Sequence, residues 1–179
     1  MRHAQPRPGA PAVMAYKQGD YKEINHYLRF GQFSTSLSLS TQQLLSKYAD
    51  DLQNLMSTGL NTTQYPLLYR GTDFLEFGRQ VKNYGNLKAL VGTSHTWKGF
   101  VSTTYDIIST KKFYRGVVIF FRPSSDTRFL NLTPYRDLTK HNHEKEILLD
   151  HLTTGKITAV SRATYASGLM PYVKVDVTL

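Results

Sequence analysis

Two carboxylates one residue apart, Glu144 and Glu146, run straight into the apolar stretch Ile147-Leu148-Leu149. Side chains alternate across a strand, so at its entrance these groups share a face about 7 Å apart. Carboxylates paired in this way can divide labour: one holds negative charge against a developing cation while the other orients or deprotonates a nucleophile. A Glu-x-Glu pair is equally at home in a solvated charged turn, so its company decides its meaning. Leu67-Leu68-Tyr69-Arg70-Gly71 closes an apolar run on an arginine, and Gly71 admits a ligand or a neighbouring backbone at close range. A guanidinium fork suits a diphosphate better than a lysine does. Gly99-Phe100-Val101-Ser102-Thr103-Thr104 closes a second run on three hydroxyls, although threonine also simply favours strands.

These residues need a frame to bring them together. The chain has 179 residues, 40% hydrophobic and 12% aromatic, enough to bury one core without staples, and no cysteine, which excludes disulfides, thiolate zinc sites and a cysteine nucleophile. Met1 to Ala15 reads as a flexible leader, because Pro6, Pro8, Gly9 and Pro11 leave no room for a helix; the catalytic domain is expected over 16–179. That start lacks a hydrophobic signal core and no apolar run reaches membrane-spanning length, so the expectation is a soluble chain without a general secretion signal. Tyr21, Ile24, Tyr27 and Leu28 recur at helical spacing over Tyr16 to Arg29, with Gly31 as a stop. A second helix, capped by Ser40 or Thr41, carries the stripe Leu44, Leu45, Tyr48, Leu52, Leu55 and Met56 before Gly59. Strands follow at Pro66–Tyr69, Val117–Phe121 and Tyr172–Val177, and helices first with strands afterwards give an α+β domain. The net charge of +9 implies attraction to something acidic. No run of five basic residues occurs, so the charge belongs to a positive face rather than to a tail.

The order Arg70, Ser102-Thr103-Thr104, Glu144-x-Glu146 resembles the arginine-serine-glutamate signature of the mono-ADP-ribosyltransferases related to the clostridial actin-modifying toxins and the arginine-specific ectoenzymes. The resemblance covers roughly Tyr16 to Val177. It implies N-terminal helices followed by a mixed, largely antiparallel two-sheet core around an NAD cleft, with NAD as co-substrate and no metal. By resemblance Arg70, beside Gly71, binds the NAD phosphates and braces the site. Ser102 holds the catalytic glutamate by a hydrogen bond, and Thr103 with Thr104, where the family has a final serine, shapes the nicotinamide pocket. Phe113 and Arg115 resemble the phenylalanine and arginine of the family's loop between nicotinamide and phosphate, with one intervening residue in place of the usual two. Leu132 to His143 corresponds to the target-recognition loop, where Tyr135, or His141 at a closer spacing, is the candidate to orient the substrate. His141-Asn142-His143 also spells the letters of a nuclease motif, but those metal-binding residues are dispersed in the nucleases and adjacent here, which makes the match coincidental. A metal held by His141, His143, Glu144 and Glu146 is the weaker reading of that cluster.

The resemblance also implies the chemistry. Breaking the nicotinamide–ribose bond passes through an oxocarbenium-like state that Glu146 would stabilise. An acceptor guanidinium is protonated and a poor nucleophile until a base orients it, which Glu144 would do. In the family, glutamate at that first position goes with arginine acceptors, so the implied partner is a protein arginine on an acidic surface. Three alternatives stay open: an NAD glycohydrolase using water, a basic module binding nucleic acid through some of its twelve tyrosines, and ADP-ribose transfer to a nucleic acid. The same resemblance casts the chain as a toxin or effector acting in an NAD-containing cytoplasm after delivery, either alone or as a piece of a larger toxin.

Overall fold

A computed structural model describes residues 9–34, 36–57, 65–138, 145–166, 168 and 170–179. The chain enters through helix α1 (Ala10–Ala15), where an irregular leader was expected. Pro11 falls in its first turn, where a missing N–H costs nothing, and Ala12 and Val13 are fully buried, so the leader reading is corrected from residue 10 onward. A turn over Tyr16–Asp20 follows, broken at Gly19, whose φ of 127° an ordinary side chain would resist. It redirects the chain into α2 (Tyr21–Phe30), which ends on Gly31 in the left-handed region. Helix α3 (Leu39–Ser57) is capped two to three residues earlier than the sequence indicates, because the Ser38 hydroxyl, not Ser40 or Thr41, accepts from the Thr41 N–H at 3.2 Å. Leu45, Ala49, Leu52 and Met56 form its buried stripe, while Leu44 turns outward. No described helix is long and apolar enough to cross a membrane.

The strands are β1 (Leu68–Thr72), β2 (Ser94–Trp97), β3 (Val101–Thr104), β4 (Val117–Arg122), β5 (Phe129–Asn131), β6 (Glu146–Leu149), β7 (Thr153–Thr164) and β8 (Pro171–Thr178), with helix α4 (Tyr84–Lys88) between β1 and β2. They are hydrogen-bonded in the order β2-β7-β8-β4-β1-β3-β6-β5, antiparallel except for β4 beside β8. The two expected sheets thus join into one, hinged where β1 meets β3 at Tyr69 opposite Thr104. Strand β4 is buried on both faces: Val117, Ile119 and Phe121 enter one apolar cluster with Leu68, Trp97 and Val175, and Val118 and Phe120 enter another with Tyr165 and Tyr172. Beyond the hinge, Leu148 and Leu130 face the helices and pack with Val13, Ile24 and Leu52, which fixes the N-terminal helices against β3 and β6. The hinge itself is where Arg70, Ser102 and Glu146 come from, on three adjacent strands.

Candidate active site

Neighbouring strands set the geometry. Thr104 lies opposite Glu146 and Ser102 opposite Leu148, so Ser102 Oγ reaches diagonally along the shared face and donates to Glu146 Oε1 at 2.5 Å. On the far side of β3, Arg70 donates from Nη1 to the Ser102 carbonyl at 3.0 Å. Three segments remote in sequence therefore meet in one network, and the carboxylate is held at its root by a charge-assisted bond. Thr103 points the other way and donates to the Ile147 carbonyl at 2.7 Å, tying β3 to β6, while Thr104 accepts from the Asp106 N–H at 3.1 Å.

Arg70 has a partner that sequence reasoning missed. Glu76 takes Nε and Nη2 of Arg70 at 3.2 Å each, the Thr72 hydroxyl at 2.9 Å and the Trp97 indole N–H at 2.9 Å. Burial works against both charges, yet each charge and its hydrogen bonds outweigh that cost in the other: the Arg70 pKa is raised and the Glu76 carboxyl is held below its ordinary value. Three of the five guanidinium N–H groups are engaged with the protein, leaving two for a ligand. Glu76 follows Arg70 by six residues, across a turn capped by Asp73, and no periodicity in the sequence marks it.

The cleft these residues line measures about 800 Å³ and is walled on its other side by the N-terminal helices. Arg70, Gly71, Ser102, Thr103, Thr104, Phe113, Arg115 and Glu146 all line it. Gly71 is required by neighbouring backbone, because a Cβ there would stand 2.5 Å from the Thr110 carbonyl oxygen. That close approach seats the short helix Ile107–Lys112 against β1 and carries Phe113 and Arg115 to the rim, where Phe113 is 56% exposed rather than part of the core. The helical wall supplies residues that carried no signal beyond an amphipathic stripe. Asn25 accepts the Phe100 N–H at 2.8 Å and donates to the Tyr16 hydroxyl, and Tyr16 is so buried that its ionisation is pushed well above the ordinary tyrosine range. Arg29, Lys22 and Lys112 add positive charge around the opening.

Tyr135 does not join them. It is 8% exposed and packs in the helix-side core with Leu132 and Leu148, because the Leu132–His143 stretch begins as a short helix, Thr133–Leu138, that packs against α1. Tyr135, the residue expected to orient the substrate, thus lies in the core and not among the lining residues of the cleft. Glu144, His141 and His143 lie outside the described residues. Among the described residues no group of His, Asp and Glu is arranged to hold a metal ion.

The residues present fit a dinucleotide. The volume is that of a small-molecule site, cations surround the mouth for a diphosphate, Tyr21 and Phe113 offer exposed rings, and an ionisable carboxylate stands at the inner end. A family model described as ADP-ribosyltransferase exoenzyme matches residues 10–178, beginning where α1 begins. The chain belongs to that family and is an NAD-dependent ADP-ribosyltransferase of the mono-ADP-ribosyltransferase toxin class. Among solved structures it resembles Plx2a, an ADP-ribosyltransferase toxin from Paenibacillus larvae, with a TM-score of 0.71 and 18% identity over 97% of this chain and 86% of that one. It is similar to the ADP-ribosylating component BECa of a C. perfringens binary enterotoxin, solved with NADH, with a TM-score of 0.72, 18% identity and coverage of 97% and 43%. The C3 exoenzyme of Clostridium limosum gives a TM-score of 0.70 at 16% identity, covering 96% and 85%. No curated protein matches the chain.

Proposed function

We propose that this enzyme transfers ADP-ribose from NAD to an arginine of a target protein and releases nicotinamide. The bond from the Ser102 hydroxyl to Glu146 Oε1 at 2.5 Å carries this reading. It fixes one carboxylate at the inner end of a cation-rimmed cleft, where its charge faces the ribose carbon from which nicotinamide departs with the bonding electron pair. Arg70 acts on two sides: it braces Ser102 and Glu76 from behind and offers its remaining N–H groups to the diphosphate. Arg115 and Phe113, at the rim, clamp the phosphate and cover the nicotinamide. Glu144, two residues before Glu146, orients the acceptor guanidinium and takes its proton as the new N–C1′ bond forms.

Hydrolysis of NAD by water uses the same donor half of the site and is the second reading, with Glu144 dispensable in it. The cationic opening favours a target with an acidic surface. Incubation with labelled NAD and a whole-cell lysate tests the acceptor class. The expected result is label that protease removes and nuclease does not, mapping to arginine side chains by peptide mass. Label released by nuclease alone would contradict a protein acceptor.

A further inference from the structure

Lys17 sits in the turn Tyr16–Asp20 between α1 and α2, and its side chain is 1% exposed. A lysine at such a place ordinarily buries its stem and keeps its ammonium in water. Here the ammonium is turned inward. It stands 3.5 Å from Glu146 Oε2 and finds no hydrogen-bond acceptor among the described residues. The other oxygen of the same carboxylate takes the Ser102 hydroxyl. An ammonium with three donors, removed from water and left with a single long ion pair, is costly, and an apolar side chain in its place would carry no such penalty. The packing of the helical wall thus gives no reason for a charge at this position. The carboxylate gives one, since Glu146 is itself only 12% exposed and the ammonium sets a positive charge beside its Oε2.

We propose that Lys17 is a positioning residue: it neutralises Glu146 and fixes its orientation in the resting cleft, and so restrains affinity for a donor with a cationic ring. The inference rests on the reading that Glu146 faces the nicotinamide ribose. In NAD+ the ring nitrogen bonded to the ribose carries the positive charge, whereas in NADH the ring has nearly the same outline and no charge. With Lys17 seated, the fields of ammonium and carboxylate partly cancel at the ring. Without it, the carboxylate's attraction for a cation is no longer offset by that ammonium, whereas the NADH ring carries no charge for either group to act on.

The test compares affinities by calorimetry for a non-cleavable carbocyclic NAD+ and for NADH, in the wild type, Lys17→Met and Lys17→Gln. Both variants should bind the cationic analogue roughly fivefold or more tightly than the wild type, with NADH affinity changed less than about twofold. A purely structural role would move both ligands together. An unchanged ratio of the two affinities in folded variants overturns the proposal, and so does loss of folded structure in both, which would make Lys17 a structural residue. Failure of the wild type to bind either ligand is a separate result, sinking the reading of the cleft itself together with this inference.

Discussion

Glu76 decides how Arg70 can be used. A guanidinium that served only as a phosphate clamp would be free to follow its ligand, but here the Ser102 carbonyl and Glu76, itself held by the Thr72 hydroxyl, fix its plane before any ligand arrives. Preorganisation of this kind matters because groups already in place need no reorganisation when charge develops. It also makes a pH prediction. The Glu76 carboxyl is held below its ordinary value of 4.5, so its contribution to stability is fully present above that value and is lost as pH falls below it. Glu76→Gln leaves the Arg70 charge half-buried without its partner and should cost about 3 kcal/mol near neutral pH. In thermal melts the gap between wild type and variant should then narrow steadily below pH 4.5, where wild-type Glu76 also loses its charge. A gap that stays constant across that range would show that the pair contributes through packing alone.

At the scale of elements, what the sequence revealed followed from where periodicity is clean. Helix α2 and helix α3 are amphipathic and end on glycine or on a hydroxyl cap, and β4 is a continuous apolar run; all three are legible from spacing. Strand β7 is not, because an irregularity between Ile157 and Ala159 shifts its buried face by one residue, so that Ile157 and Val160 rather than alternate residues point inward. The proline-rich start misled for a different reason: Pro11 breaks a helix interior but is well suited to a first turn. The same distinction, local signal against tertiary setting, separates the site residues. Arg70, Ser102 and Glu146 announced themselves by type and order, whereas Glu76, Asn25 and Lys17 gain their meaning only from the neighbours that folding supplies. If α1 is part of the core, a variant lacking residues 1–15 should lose about 2 to 4 kcal/mol, since it exposes the seat of Ala12 and Val13 against α3 and β6. Denaturant unfolding measures this, and an unchanged midpoint would restore the leader reading.

Across the whole molecule the net charge of +9 is not spread evenly in its consequences, because Lys22, Arg29, Lys112, Arg115 and Lys145 all line the one cleft. A small dinucleotide enters among these charges and is only weakly sensitive to screening once inside, whereas a macromolecular target is drawn in from farther away. Raising salt from about 0.05 to 0.5 M should therefore slow transfer to a protein target more than it slows NAD hydrolysis. Equal loss of both activities would mean that the charge serves the dinucleotide and not the capture of a partner. The division between donor and acceptor halves of the site is the central claim, and paired substitutions at the two carboxylates test it most directly. Glu146→Gln removes the charge facing the departing nicotinamide, so transfer and hydrolysis should both fall, by about 100-fold or more. Glu144→Gln leaves that charge in place, so arginine modification should collapse while hydrolysis by water largely persists. Transfer left intact in Glu144→Gln, or full NAD cleavage in a folded Glu146→Gln, would contradict the account.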